Sequence, residues 1–345
     1  MSSLKEMCAL SESYSNFALL NYFNAAKVTA AFAGAVLFAI VHHFERITRM
    51  FHPNARLILK FHIGFVFVAI AGTIFGDGSD LLRFTVLKWT NRDLTCPVVP
   101  LSPYYGVVFK GMKLYGNGGT TITAFAWVIE RIYATIFVAS YAEYKTTLGW
   151  TLGIISTIVI TALTTVRVLM ADFKSMIPMS MMTGTSYDYS MILHNINAGM
   201  EISNVLILLL IISINAGRMR NLHVRIGSSL TYKFALRENG HATALIFPLA
   251  LLHCVAYFPV AVLTPIITRK GATPVERIFF FSCLDWLPIY FIALPALLFW
   301  RHGVQKKAVK QLVRKNLIGE RYANARRGRR GEAAKYFEMF NKMIA

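Results

Sequence analysis

Seven apolar stretches alternate with polar loops along the chain. Each approaches the roughly 20 residues that an α-helix needs to cross the hydrocarbon core of a bilayer. The pattern predicts an all-α membrane protein, a seven-helix bundle with spans over Phe23–Phe44, Leu57–Gly76, Leu114–Phe137, Leu148–Leu169, Ala198–Ala216, Ala242–Ile267 and Ile278–Trp300. An odd number of crossings puts the two ends of the chain on opposite sides of the membrane. The third stretch is the least regular, because Glu130 and Arg131 interrupt its apolar run. The first carries Lys27 near its outer end, where a long side chain can snorkel to the headgroups. Prolines at 248, 259, 265, 288 and 295 fall in the last two spans, which is tolerable where neighbouring helices re-satisfy the freed backbone groups.

Composition supports lipid as part of the solvent: 55% of residues are hydrophobic and only 15% are charged, against about 25% in an average soluble domain. The net charge of +19 is uneven, with thirteen Lys/Arg and three acids between residues 301 and 345. A basic segment directly after a spanning helix faces an anionic inner leaflet rather than nucleic acid. The short loops are almost balanced in Lys/Arg, so the tail alone sets the predicted orientation, N-terminus outside and C-terminus cytosolic. Three regions follow: an extracellular segment 1–22, a membrane domain 23–300 and a basic tail 301–345. In the tail, Val304, Ala308, Leu312 and Leu317 recur near helical spacing between lysines, the pattern of an amphipathic helix lying on the membrane. Met1–Asn21 is polar and mixed, without the features of a cleaved signal.

The four cysteines form no CxxC pair, so neither a zinc nor a redox site is expected. Cys254 and Cys283 fall inside spans and read as packing residues. Cys8 and Cys96 both lie outside in this orientation and either form a disulfide or remain thiols. No HExxH, GxSxG, Walker A or GxGxxG pattern is present, and neither enzymatic chemistry, a metal nor a cofactor is predicted. The GNGG at 116–119 lacks the strand-turn-helix setting of a phosphate loop.

Ionisable residues inside spans are expensive and point to function or to a partner. Glu130 and Arg131 sit near the cytosolic end of the third span. They read either as an activation switch or as a local pair that lowers the cost of an arginine there. Asp285, in the seventh span, meets a ligand, pairs with His253 of the sixth, or sits at a kink near Pro288. His253, Phe258, Phe281, Trp286 and Tyr290 are candidates to line a ligand pocket, although lipid-facing positions suit the aromatic residues equally. Pro259, in CVAYFP, should kink the sixth helix. Lys60 and His62 are expected at the interface, and deep ionisable residues are expected to be few. The third cytosolic loop is rich in Lys/Arg, and its end, SLTYKFALRENGHA, should extend the sixth helix into the cytosol.

FHPNARLIL (51–59), ERIYAT (130–135) followed by Tyr-Ala-Glu at 141–143, and SLTYKFALREN (229–239) occur together in this order. The combination resembles the nematode serpentine chemoreceptors of the Sra superfamily, with Sre nearest and Srb and Srab close behind. The resemblance covers almost the whole chain. It implies a G-protein-coupled chemosensory receptor in the plasma membrane, on sensory cilia in the fullest form of the analogy, that detects a small environmental chemical or pheromone. Glu130 and Arg131 match the family's Glu-Arg pair. Arg218, Arg220, Lys233, Arg237, Glu238 and Asn239 fall in the region that meets a heterotrimeric G protein. One departure is that residues 171–200 contain no cysteine, so the bridge from third helix to second outer loop, known in rhodopsin-like receptors, cannot form. The principal rival is a multi-pass transporter or channel for a small solute. The absence of an internal repeat and of a polar path weighs against it.

Overall fold

The computed structural model describes residues 4–43, 51–90, 95–141, 146–180, 186–222, 230–269 and 273–301, together with Gly303 and Glu338. The expected amphipathic tail therefore lies outside the described residues. A short helix α1 (Leu4–Asn16) precedes the first long one, α2 (Ala18–His43). Helix α3 (Pro53–Leu82) runs on through a π-helical turn, Arg83–Leu87, to Lys88–Thr90. A second π-turn, Gly106–Lys110, leads into α4 (Gly111–Ile136). Then come α5 (Thr147–Leu169), α6 (Ser186–Leu222), α7 (Leu230–Arg269) and α8 (Pro274–Leu284). After a break at Asp285 and Trp286, α9 covers 287–301 and completes the last span. Helix ends carry expected sequence devices: Pro53 and Pro274 sit in first turns, and Thr273 with Glu276 forms a capping box.

Six of the long helices are apolar enough to cross a membrane by length and composition. The seventh, α4, is different because it packs against α3, α5, α6 and α7. A helix mostly enclosed by protein needs little lipid-compatible face. Its Asn117, Thr120, Thr121 and Thr123 are all buried, as are Glu130 and Arg131. Outer helices show the opposite pattern, with Phe32, Val36, Ile158, Leu206 and Leu210 exposed on the bundle's exterior. The GNGG sequence serves this packing. A Cβ on Gly116 would lie 2.4 Å from Ala69 N and 2.6 Å from Phe65 O, and one on Gly72 would lie 2.4 Å from Lys113 N. Only glycine permits α3 and α4 to approach so closely, the small-residue packing favoured between membrane helices.

Helices α6 and α7 extend beyond the expected spans, and α7 continues through Pro248, Pro259 and Pro265 without leaving helical geometry. Two local expectations need correcting. Lys27 does not snorkel outward: it is 8% exposed, donates to Ser282 Oγ at 2.8 Å and lies 3.4 Å from Asp77. His62 is not interfacial. It is fully buried at the bundle centre between Thr123 Oγ1 (2.8 Å) and Tyr290 Oη (2.6 Å). In each case a partner on another helix offsets the cost of desolvation, which the sequence does not display.

A cap closes the end of the bundle where the chain begins. Cys8 of α1 is joined to Cys96 by a disulfide, and Tyr14 packs with Leu20, Phe84, Val98 and Met179. The segment after α5 is stitched to this cap through paired backbone hydrogen bonds between Leu101 and Ile177 (2.7 and 2.9 Å). Arg83 donates to Asp80 (2.8 Å) and to Val99 O (2.6 Å), while Ser180 N donates to Asp80 (2.9 Å). These ties hold the segment after α5 without the cysteine bridge that residues 171–200 cannot provide.

Candidate functional site

Two polar centres occupy opposite ends of the bundle. At the end remote from the disulfide, Glu130 and Arg131 are neighbours on α4, and both are buried (0% and 1% exposed). The guanidinium grips the adjacent carboxylate through two of its nitrogens, Nε and Nη2. Nη1 also donates to Asn239 Oδ1 on α7 (3.3 Å), and Nη2 to Tyr141 Oη (3.3 Å). Asn239 Nδ2 donates to Thr135 Oγ1 at 3.1 Å, and Arg218 of α6 donates to the Thr135 carbonyl. The arrangement is a latch that ties α4 to α7 through Arg131 and Thr135 and to α6 through Thr135. Tyr141 lies just past the break at Phe137 that ends α4, and its hydroxyl donates to Glu130. Burial, reinforced by Glu130, pushes that hydroxyl's pKa up, so it keeps its proton as a donor.

Of the six residues expected to face a G protein, Lys233, Arg237 and Arg220 are exposed, Arg218 and Glu238 are half-buried, and Asn239 is buried inside the latch. Exposed basic residues thus surround one buried polar tie.

At the disulfide end, a cavity of ≈ 240 Å³ opens among α2, α3, α4, α5, α6, α7 and α8. Leu114, Ile122, Ile160, Leu163, Leu193 and Phe281 form apolar walls, and Lys27, Asp77, Lys110, Lys113, Arg167 and Asp285 supply charge. Deep ionisable residues are therefore not few. Asp285 pairs with Lys113 (2.6 Å), not with His253, and Lys113 also binds Asp77 (2.7 Å). The reason is geometric: the break after Leu284 turns Asp285 toward α4, whereas His253 lies deeper, with Nδ1 2.9 Å from Glu201 and Nε2 2.9 Å from Thr120 Oγ1. Of the other aromatic candidates, Phe281 lines the cavity, Tyr290 is buried below it, and Phe258 and Trp286 are about 40% exposed and outside its lining. Sequence reasoning missed Asp77, Lys110, Lys113, Arg167, His194 and Asn197. They come from four separate segments of the chain, with Lys110 near Lys113 and His194 near Asn197, so no single local motif unites them.

Between the two centres lies a packed layer. Tyr257, on the cavity wall, stacks on His253; His253 meets Tyr290 edge-on (4.9 Å between centroids); Tyr290 bonds His62, which stacks on Trp127 (4.8 Å) one turn before Arg131. Among the described residues, no group of three or more His, Cys, Asp or Glu is placed to hold a metal ion.

The described residues thus form seven long helices with a cavity at one end and an acid-clamped arginine at the other. A family described as serpentine type 7TM GPCR receptor class ab chemoreceptor matches residues 5–345. The chain belongs to this Srab family of serpentine chemoreceptors and is a multi-pass membrane protein. The resemblance to the Sra superfamily thus holds, with Srab, placed behind Sre on sequence alone, as the matching family. No curated protein sequence matches the chain.

Proposed function

We propose that a small molecule enters from the extracellular side, occupies the cavity at the disulfide end, and shifts helix packing so that Arg131 leaves Glu130 and a heterotrimeric G protein is activated. The observation that carries this reading is the latch. A buried arginine held by its own neighbour and tied to Asn239 on α7 is a two-state element: moving α7 removes a partner from Arg131 and leaves the charge to find another. A ligand can drive the change only by binding one packing better than the other. The layer from Tyr257 to Trp127 is a contiguous physical route for that bias, since packed cores rearrange between discrete states. Once α7 moves, Arg218, Arg220, Lys233, Arg237 and Glu238 frame the opening as a basic surface for the G protein, and the tail binds the anionic inner leaflet.

The test needs no ligand. In membranes containing the receptor and a G protein, Glu130→Gln is expected to raise basal nucleotide exchange several-fold, because the amide weakens the charge-assisted grip on Arg131. Adding Arg131→Ala to that variant should return exchange to background. Exchange that stays high in the double variant, at equal surface expression, would refute the switch.

A further inference from the structure

We infer that the cavity takes a small amphiphile carrying one anionic group, with that group seated on Arg167 and an apolar body along the α4–α5 wall. This rests on the cavity being the ligand site. Its charged lining holds four cations, Lys27, Lys110, Lys113 and Arg167, against two carboxylates, Asp77 and Asp285. Both carboxylates are already used: Lys113 binds the two of them, and Lys27 shares Asp77. A cationic ligand would therefore meet neutralised acids and two surplus positive charges.

Lys110 and Arg167 are the two cations left over. Lys110 is half-buried, and Arg167, in the last turn of α5, is the buried one. It is 6% exposed, its Nε is buried without a hydrogen-bond partner, and among the described residues it forms no ion pair. A guanidinium kept from water with no counter-ion is a costly arrangement. It is also a planar fork that matches a carboxylate, sulfate or phosphate through two parallel hydrogen bonds. His194 Nδ1 also lacks a partner and lines the same cavity. Both cavity carboxylates are held by lysines, and among the described residues none pairs with Arg167. The remaining wall is aliphatic: Leu114, Ile122, Ile160, Leu163 and Leu193. At ≈ 240 Å³ the space is just below the range of about 300–1,000 Å³ for drug-sized ligands, which favours a short chain or a single ring. Most of its affinity would come from apolar burial, and the choice of head group from the arginine.

The experiment compares octanoate and phenylbutyrate with octanol and octylamine as probes on the full-length receptor in nanodiscs, reading the thermal unfolding midpoint against probe concentration. The two carboxylates should raise the midpoint at lower concentration than the alcohol or the amine. Arg167→Gln should raise the midpoint of the protein without probe, because an unpaired buried charge is gone. It should also weaken carboxylate binding by about tenfold or more, the effect of one charge-assisted contact. Arg167→Lys keeps the charge but not the paired donors. It should retain the preference for carboxylate over amine with lower affinity, and it decides the matter if the glutamine variant does not fold. The inference fails if neither carboxylate shifts the midpoint, if octylamine binds better than octanoate, or if both Arg167 variants bind octanoate like the parent. Basal exchange in Glu130→Gln judges the receptor reading separately, since it uses no ligand.

Discussion

His52 shows how a single side chain can set the pH range in which the latch end is stable. It caps α3, its Nδ1 accepting from Asn54 N (3.4 Å) and lying 2.9 Å from the Tyr141 hydroxyl. Burial lowers its pKa from 6.5 to about 4, with Glu130 opposing and Arg131 reinforcing the shift. A depressed histidine pKa means that the folded state resists protonation. Its contribution to stability is complete above about 6.5 and is lost as pH falls through the window toward 4. Protonation also removes the lone pair that caps the helix. The unfolding midpoint should therefore fall between pH 7 and pH 5, and His52→Asn, a capping residue that does not titrate, should flatten that part of the profile. A profile identical to the parent's would show that another group is responsible. The Glu130–Arg131 pair was legible from its place in an apolar run. Its partners Tyr141, Asn239 and Thr135 were not legible as a set, because up to 108 residues separate them.

At the scale of elements, α4 explains why hydropathy identifies six spans and leaves the seventh to other signals. The central helix meets protein on most of its surface, with Ile129 and Ile136 among its few exposed residues, so its polar residues are satisfied by neighbours rather than excluded by lipid. Its glycines are then under strict steric control. Gly116→Ala places a methyl group 2.4 Å from a backbone nitrogen of α3, which cannot yield as a flexible side chain would. It should destabilise the receptor by about 1–3 kcal/mol, typical of overpacking, and reduce surface expression. Gly64→Ala faces open space and should leave expression unchanged; its midpoint should hold or rise slightly, because alanine favours helix. Equal behaviour of the two variants, measured by thermal unfolding in detergent, would show that the α3–α4 approach is not limiting. The break at Asp285 belongs to this scale too. FSCLDWLPIY suggested a kink near Pro288, and the helix does open two residues earlier, turning the carboxylate to Lys113.

For the whole molecule, the cap over the cavity is the feature that joins distant parts of the chain. The Cys8–Cys96 bridge closes a separation of 88 residues, and removing such a link generally costs about 2–4 kcal/mol. The Cys8→Ser/Cys96→Ser variant should unfold at a lower temperature and should no longer respond to reductant, whereas the parent should be destabilised by it. A parent indifferent to reductant would argue that the bridge carries no stability. The hydrogen bonds of Asp80 and Arg83 should still hold the segment after α5 in the variant. The consequence is a partial loosening of the cap rather than loss of the fold.

By itself the sequence determined the class of architecture, the approximate spans, the position of the Glu130–Arg131 pair and the superfamily to which the chain is related. Those properties depend on local composition and on short motifs in order, and lipid as solvent makes apolar length nearly decisive. Only the tertiary structure decided which charges meet. Lys113 with Asp77 and Asp285, Lys27 with Ser282, and Arg167 without a counter-ion among the described residues are products of helix placement. A buried charge is read by its partner, and the partner belongs to another helix.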